Sequence, residues 1–255
     1  DTLADGVARA GVPVPALLAE LRAALPEDAA QWLHYGATSQ DILDTALCLC
    51  FKAALEAHAA RLAAIIDALE AEAARPPGLP VLGRTRGQLA TPISYALRCA
   101  NWAAPLMALE SGLDALQELA LKVQLGGAAG AASAVGPAAG DLRAGMAARL
   151  DLSDAAPWHT DRSGFQALAS WLTRLTAALA KFGRDIATAS RGEVAEITAG
   201  AGGGSSTMPH KSNPVTAEAL QAAHPVALAC QAGLAAAAVH GEERDCVFCA
   251  VEWLL

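Results

Sequence analysis

The sequence predicts an all-α protein built as a bundle of elongated helices, and three observations carry that reading. Hydrophobic residues make up 54% of the 255 positions but aromatic residues only 4%, and much of the apolar content is alanine, the best helix former. Apolar residues recur at helical spacing over segments well beyond the usual helix of about 11 to 12 residues. No alternating strand pattern stands between those segments.

The first long pattern runs from Ser39 to about Arg75, where Leu43, Leu47, Phe51, Leu55, Leu62, Ile65, Ile66 and Leu69 share helical spacing. At 1.5 Å per residue it forms a rod of about 50 Å, and Pro76-Pro77-Gly78 ends it. Thr91 is expected to cap a second run, with Pro92 at its first helical position and its end near Leu125. Gly126 to Gly140 reads as a small-residue loop before a short helix to Leu150, and a further long helix is expected from about Gly164 to Arg191. Thr198 to Pro214 is a polar loop rich in Gly and Ser. Asn213 caps and Pro214 begins a last long helix towards His240, which Gly241 breaks. Alanine-rich faces are too small to fill a thick core, which points to close helix contacts and burial between subunits.

Charge and composition exclude several function classes. Lys plus Arg number 18 against 26 acidic residues, a net charge of −8, so the field of the whole molecule repels nucleic acid and anionic lipid. The longest apolar stretch, Pro225 to Val239, is shorter than the roughly 18 residues a membrane span needs. No basic-then-apolar segment opens the sequence, which lacks an initiator Met, and some N-terminal sequence is expected to precede Asp1. Cys48, Cys50, Cys99, Cys230, Cys246 and Cys249 include C-x-C and C-x-x-C pairs that invite a zinc reading. All six fall in apolar, helix-like sequence, so they are expected as small buried hydrophobes in a reducing cytoplasm, with no metal.

Four polar segments stand out against this background: HYGATSQD (34–41), GRTRGQ (83–88), PWHTDR (157–162) and GGGSSTMPHKSNP (202–214). Each flanks a predicted long helix, and neighbouring helices bring their ends together, so distant loops converge within a chain or between subunits. The last is the most informative: mobile glycines, two hydroxyls, the Lys211 cation and a helix start whose free N–H groups suit an anion. A plain linker would not set Met208-Pro209-His210-Lys211 before a capped helix. A phosphate-binding P-loop fails, because His210 stands where glycine is needed and no strand precedes it. Gly126-Gly127-x-x-Gly130 has the wrong spacing for a dinucleotide motif and is better explained by close packing.

In the first segment Thr38 or Ser39 is expected to cap the helix, and the same hydroxyls and amides suit a carboxylate, with His34 near enough to bind or relay protons. Arg84 and Arg86 sit on a short turn where a guanidinium can grip a carboxylate; solvated loop arginines are the plainer alternative.

GSSTMPHKSNP resembles the signature loop of the fumarase/aspartase superfamily, and HYGATSQDILDTA and GRTRGQ resemble its other two signature regions, over about Ala30 to Trp253. WLHYGATSQDILDTAL, VQLGGAAGAASAVG, PWHTDR, GEVAEI and Glu252-Trp253 look most like its bacterial carboxymuconate cycloisomerase branch, with the adenylosuccinate lyases nearest in competition. The resemblance implies an all-α fold, a homotetramer with a shared helical bundle, active sites to which three subunits contribute, and no cofactor. It further implies that residues 1–38 are what remains of an N-terminal domain, that 39–255 form the central long-helix domain, and that parts of both terminal domains are absent.

One departure separates the branches. Family lyases that expel an amine or hydroxide resemble one another in an R-T-H triplet whose His acts as acid or relay, whereas this chain has Arg86 there. A leaving amine or hydroxide needs a proton, but a carboxylate of pKa about 4 leaves or attacks without one. The implied reaction closes 3-carboxy-cis,cis-muconate to 4-carboxymuconolactone by adding a carboxylate across a double bond. By the same resemblance Ser205 is expected to protonate the resulting enolate carbon, with Lys211 and the helix start after Asn213 beside it; Lys211 is the alternative donor. His34 binds or relays. Thr38, Ser39, Gln88 and Asn213 match carboxylate-binding positions, and Arg84, Arg86, His159 and Arg244 balance the remaining charge, His159 being equally readable as a structural donor. The competing functions are a β-eliminating lyase releasing fumarate and a helical oligomer without catalysis.

Overall fold

Three short helices, α1 (Leu3–Ala10), α2 (Val14–Ala24) and α3 (Glu27–Ala30), lead into the 35-residue α4 (Ser39–Ala73). The computed structural model describes residues 3–198, 200, 203–208, 211–245 and 252. Among these residues the fold is the expected all-α bundle of elongated helices, with one exception. Thr91 and Pro92 do not start a helix: they lie in an antiparallel hairpin of β1 (Pro80–Thr85) and β2 (Gln88–Ser94). Its two-residue turn, Arg86-Gly87, has φ of 54° and 77°, the pair of positive values that a tight type I′ turn requires and that matches strand twist. Pro92 is tolerated opposite Leu82 because both strands of a two-stranded sheet are edges. The helix cap is Ser94, whose hydroxyl accepts the Leu97 N–H at 3.1 Å and opens α5 (Tyr95–Glu110).

The second helical run is also interrupted, at Ser111 and Gly112, before α6 (Leu113–Ala120). Single 3-10 turns at Gly127–Ala129 and Gly136–Ala138 shape the small-residue loop, followed by α7 (Ala139–Leu150), α8 (Ser163–Ala189) and α9 (Val215–Ala237). In α9 the residue before the first helical position is Pro214 rather than Asn213, a shift of one residue. None of the helices among the described residues is long and apolar enough to cross a membrane.

The chain divides into two compact units. The first comprises Asp1–Leu55, Ala115–Ala167 and Gly233–Leu255. Its part of α4 buries Gln40, Asp41, Asp44, Thr45, Cys48 and Leu55, a face one residue away from the apolar Leu43, Leu47 and Phe51 that periodicity singles out. Cys48 packs with Trp158 and Phe165, and Phe165 meets the Phe51 and Trp158 rings edge-on at 5.5 and 5.3 Å. The Arg162 guanidinium lies over both Trp158 and Phe165. It donates to Asp44 Oδ2 and Oδ1 at 2.8 and 3.0 Å and to Glu252 Oε1 at 3.0 Å. Burial disfavours its charge, but the hydrogen bonds and fields of the two carboxylates outweigh that and raise its pKa.

The second unit comprises Glu56–Asp114 and Leu168–Ala232. Leu62, Ile66, Leu69, Cys99, Trp102, Leu106, Leu109, Trp171 and Leu175 are buried in it. Its indoles are anchored as buried Trp N–H groups usually are: Trp102 Nε1 donates to Asp185 at 2.8 Å and Trp171 Nε1 to the Leu109 carbonyl at 3.1 Å. The expected close helix contact is present where α8 meets α9, since a Cβ on Gly183 would stand 2.6 Å from the Ala217 carbonyl. Ile65, one of the residues that share the helical spacing, is exposed. Cys50 is exposed as well, not a buried hydrophobe, while Cys48 and Cys99 are buried. Cys246 and Cys249 lie outside the described residues.

Candidate active site

In the first unit the HYGATSQD segment turns sharply into α4. His34 has φ of 63° and Gly36 of 72°, and the Ala37 N–H closes the turn on the His34 carbonyl at 3.2 Å. Ser39 is the first helical residue and Thr38 the cap position. The Thr38 N–H donates to Asp41 Oδ2 at 2.8 Å, the backbone half of a capping box. Its hydroxyl is instead engaged by Arg244, so two residues chosen from sequence, Thr38 and Arg244, meet.

Asp41 carries no role in the sequence reading, yet it organises this unit. Its Oδ1 accepts from the Gly126 N–H at 2.9 Å and from His159 Nε2 at 2.7 Å, and its Oδ2 accepts from the Gly127 N–H at 2.9 Å. Burial alone would push this carboxyl up, but hydrogen bonds from His159, Thr38, Gly126 and Gly127 outweigh it and hold the pKa below its ordinary value. The glycines are required by close approach: a Cβ on Gly126 would stand 2.7 Å from His159 Cε1, and one on Gly127 2.6 Å from the Gly36 carbonyl. The usable signal was the spacing Thr38-x-x-Asp41, a capping box with aspartate at its third helical position.

His159 is 3% exposed. His159 Nδ1, His34 Nε2 and Gln40 Oε1 are buried without a hydrogen-bond partner among the described residues. Buried polar atoms of this kind are few in folded proteins, which draws attention to these three.

The second unit holds the remaining candidates. Arg86 and Gln88 are exposed at the hairpin tip and the strand after it. Arg84 is engaged: its Nη1 donates to Glu196 Oε2 at 3.0 Å and its Nη2 to Glu196 Oε1 at 2.5 Å. Glu196, inside the GEVAEI stretch, also lacks a role in the sequence reading.

The signature loop is pinched at its base. The Asn213 N–H donates to the Gly203 carbonyl at 2.8 Å and Gly204 bridges Ser212. Gly203 has φ of 72°, and a Cβ there would fall 2.1 Å from the Asn213 carbonyl oxygen. Within the loop, Ser205 Oγ accepts from the Met208 N–H at 3.0 Å and the Thr207 N–H at 3.3 Å. Two amides aimed at one oxygen favour its anionic form, so they make the hydroxyl a better proton donor. Lys211 is exposed and its N–H donates to the Met208 carbonyl at 3.0 Å. Pro209 and His210 lie outside the described residues.

Residues 11–227, which span the long helices α4 and α8 and the Gly-Ser loop that carries Ser205, match the lyase family. The chain belongs to the fumarase/aspartase superfamily. It is 37% identical over 258 residues to a 3-carboxy-cis,cis-muconate cycloisomerase of Pseudomonas aeruginosa, covering 98% of this chain and 56% of the relative. A protein of the same name from Bradyrhizobium diazoefficiens is 36% identical, with 98% and 57% covered. The crystal structure of the 3-carboxy-cis,cis-muconate lactonizing enzyme from Pseudomonas putida superposes with a TM-score of 0.91 at 34% identity, covering 99% of this chain and 58% of that one. The chain thus spans little more than half the length of these relatives.

Proposed function

We propose that the protein is a cycloisomerase that closes 3-carboxy-cis,cis-muconate to 4-carboxymuconolactone, acting as a homotetramer with shared active sites. The observation that carries this reading is Ser205 Oγ held by the Thr207 and Met208 amides. In the reaction a substrate carboxylate oxygen bonds to an alkene carbon and the π pair moves to the carbon beside another carboxylate, leaving an enolate. Ser205 donates its proton to that carbon, and the two amides stabilise the alkoxide left behind. Lys211, exposed on the same loop, supplies positive charge or serves as the alternative donor.

Arg86, standing where lyases that expel an amine or hydroxide have a histidine as acid or relay, favours this reaction over amine elimination, because the attacking carboxylate is already ionised. The names of the relatives described above support the same substrate. Arg86, Gln88, Thr38, Ser39, Asn213 and Arg244 are assigned to substrate carboxylates, and His34 to binding or proton relay. His159 is assigned to the substrate through Nδ1, which has no hydrogen-bond partner among the described residues, while Nε2 stays on Asp41.

The test mixes the full chain with 3-carboxy-cis,cis-muconate and follows the ultraviolet absorbance of the conjugated diene. Its decay without fumarate release, and a loss of at least about 10³-fold in kcat for Ser205→Ala with the fold intact, is the expected result. An unchanged spectrum removes the reading. Fumarate release from a succinylated amine would replace it with the eliminating lyase.

A further inference from the structure

The GEVAEI turn leads directly into the signature loop, and the second unit fixes it with unusual thoroughness. The Glu196 and Ile197 N–H groups both donate to the Ala189 carbonyl, at 2.9 and 3.2 Å, and Ala195 is held at φ 49° with its N–H on Arg191. Glu196 then reaches the hairpin. Its two oxygens take the Arg84 fork, and Oε2 also accepts from Arg98 Nη1 at 2.9 Å. Arg98 in turn donates from Nη2 to the Leu82 carbonyl at 2.6 Å. The three side chains are only 12 to 22% exposed, where a bidentate, charge-assisted pair is far less screened than on open surface.

A two-stranded hairpin is marginal by itself. Here one carboxylate ties β1, the start of α5 and the foot of the signature loop to one another. We infer that Glu196 is a positioning residue, a latch that sets the foot of the Ser205 loop against the hairpin whose tip carries Arg86. The arginine beside it, Arg84, serves the latch and not the substrate, which leaves Arg86 as the hairpin's substrate-facing cation. The pair's electrostatics agree: the Arg84 hydrogen bond holds the Glu196 carboxyl below its ordinary range against a smaller opposing effect of burial. The catalytic half of this inference rests on the proposed reaction, whereas its structural half does not.

The experiment compares the full chain with Glu196→Gln and with Arg84→Lys, which keeps the charge but not the fork. Without substrate, amide hydrogen exchange is read at Met208, Lys211 and Asn213 in the loop, along β1 and β2, and in the middle of α5. A latch predicts loop and hairpin amides accelerating together, at least about tenfold in Glu196→Gln and less in Arg84→Lys, with α5 unchanged. In turnover, kcat falls at least about tenfold while KM stays within about threefold. Hairpin acceleration with an unchanged loop overturns the inference, and so does uniform acceleration through α5. A chain that turns over no muconate yet shows coupled exchange keeps the latch and loses only the reaction.

Discussion

His159 Nε2 lies 2.7 Å from Asp41 Oδ1, with both side chains 2% exposed. An ionised carboxylate only accepts, so this nitrogen donates and the ring is held with Nδ1 on its far side. The same carboxylate binds the amides of Thr38, Gly126 and Gly127. One buried charge thereby holds the ring of a candidate site residue, the start of α4 and the glycine loop.

Replacing Asp41 by Asn keeps the volume but turns an NH₂ group towards N–H donors. The variant is expected to lose about 3 kcal/mol of stability, since buried donors are left unpaired. Urea denaturation measures this, and a loss below about 1 kcal/mol would show that the carboxylate does not organise the unit.

The pH dependence has a definite sign. Because the Asp41 pKa is lowered in the folded protein, its contribution is complete above the ordinary carboxyl value of about 4 and is lost as pH falls through the lower native value. The stability gap between wild type and Asp41→Asn is therefore expected to be flat from about pH 7 to 5 and to shrink at lower pH. A gap that widens on acidification would contradict the assignment.

Arg86→Asn separates charge from fold. Asn-Gly is the preferred pair for a type I′ turn, so the hairpin should hold or gain stability, with the melting temperature unchanged or raised. KM for the proposed tricarboxylate substrate should rise at least about tenfold, since the proposed reaction assigns a guanidinium–carboxylate contact to Arg86. An unchanged KM would exclude Arg86 from binding.

Gly203→Ala places a methyl 2.1 Å from the Asn213 carbonyl in a backbone conformation unsuited to alanine. The loop base should open, visible as faster proteolytic cleavage within residues 203–213 at little cost to global melting. A fall in kcat of about ten- to a hundredfold is expected as Ser205 loses its geometry. Wild-type cleavage rates would mean that the pinch does not hold the loop.

Long helices, their approximate ends and the polar loops were legible from the sequence, because alanine content, helical periodicity and Pro/Gly punctuation are local properties of the chain. The serine loop was legible for the same reason: its Gly, Ser and Lys residues are contiguous from Gly202 to Lys211. The hairpin was not read, although Arg86-Gly87 contains a turn signal, because Thr91-Pro92 imitates a helix start and only pairing with Pro80–Thr85 decides between them. Asp41, Asp44, Arg162 and Glu252 received no role of their own because a buried charge looks like a surface charge until its partners, 90 to 118 residues distant in sequence, are brought against it. Glu196 is the same case, with Arg84 and Arg98 at separations of 112 and 98. Periodicity reports where a helix avoids water; which charges it can bury depends on desolvation being offset by opposite charge and hydrogen bonds, and those arise only in the tertiary structure.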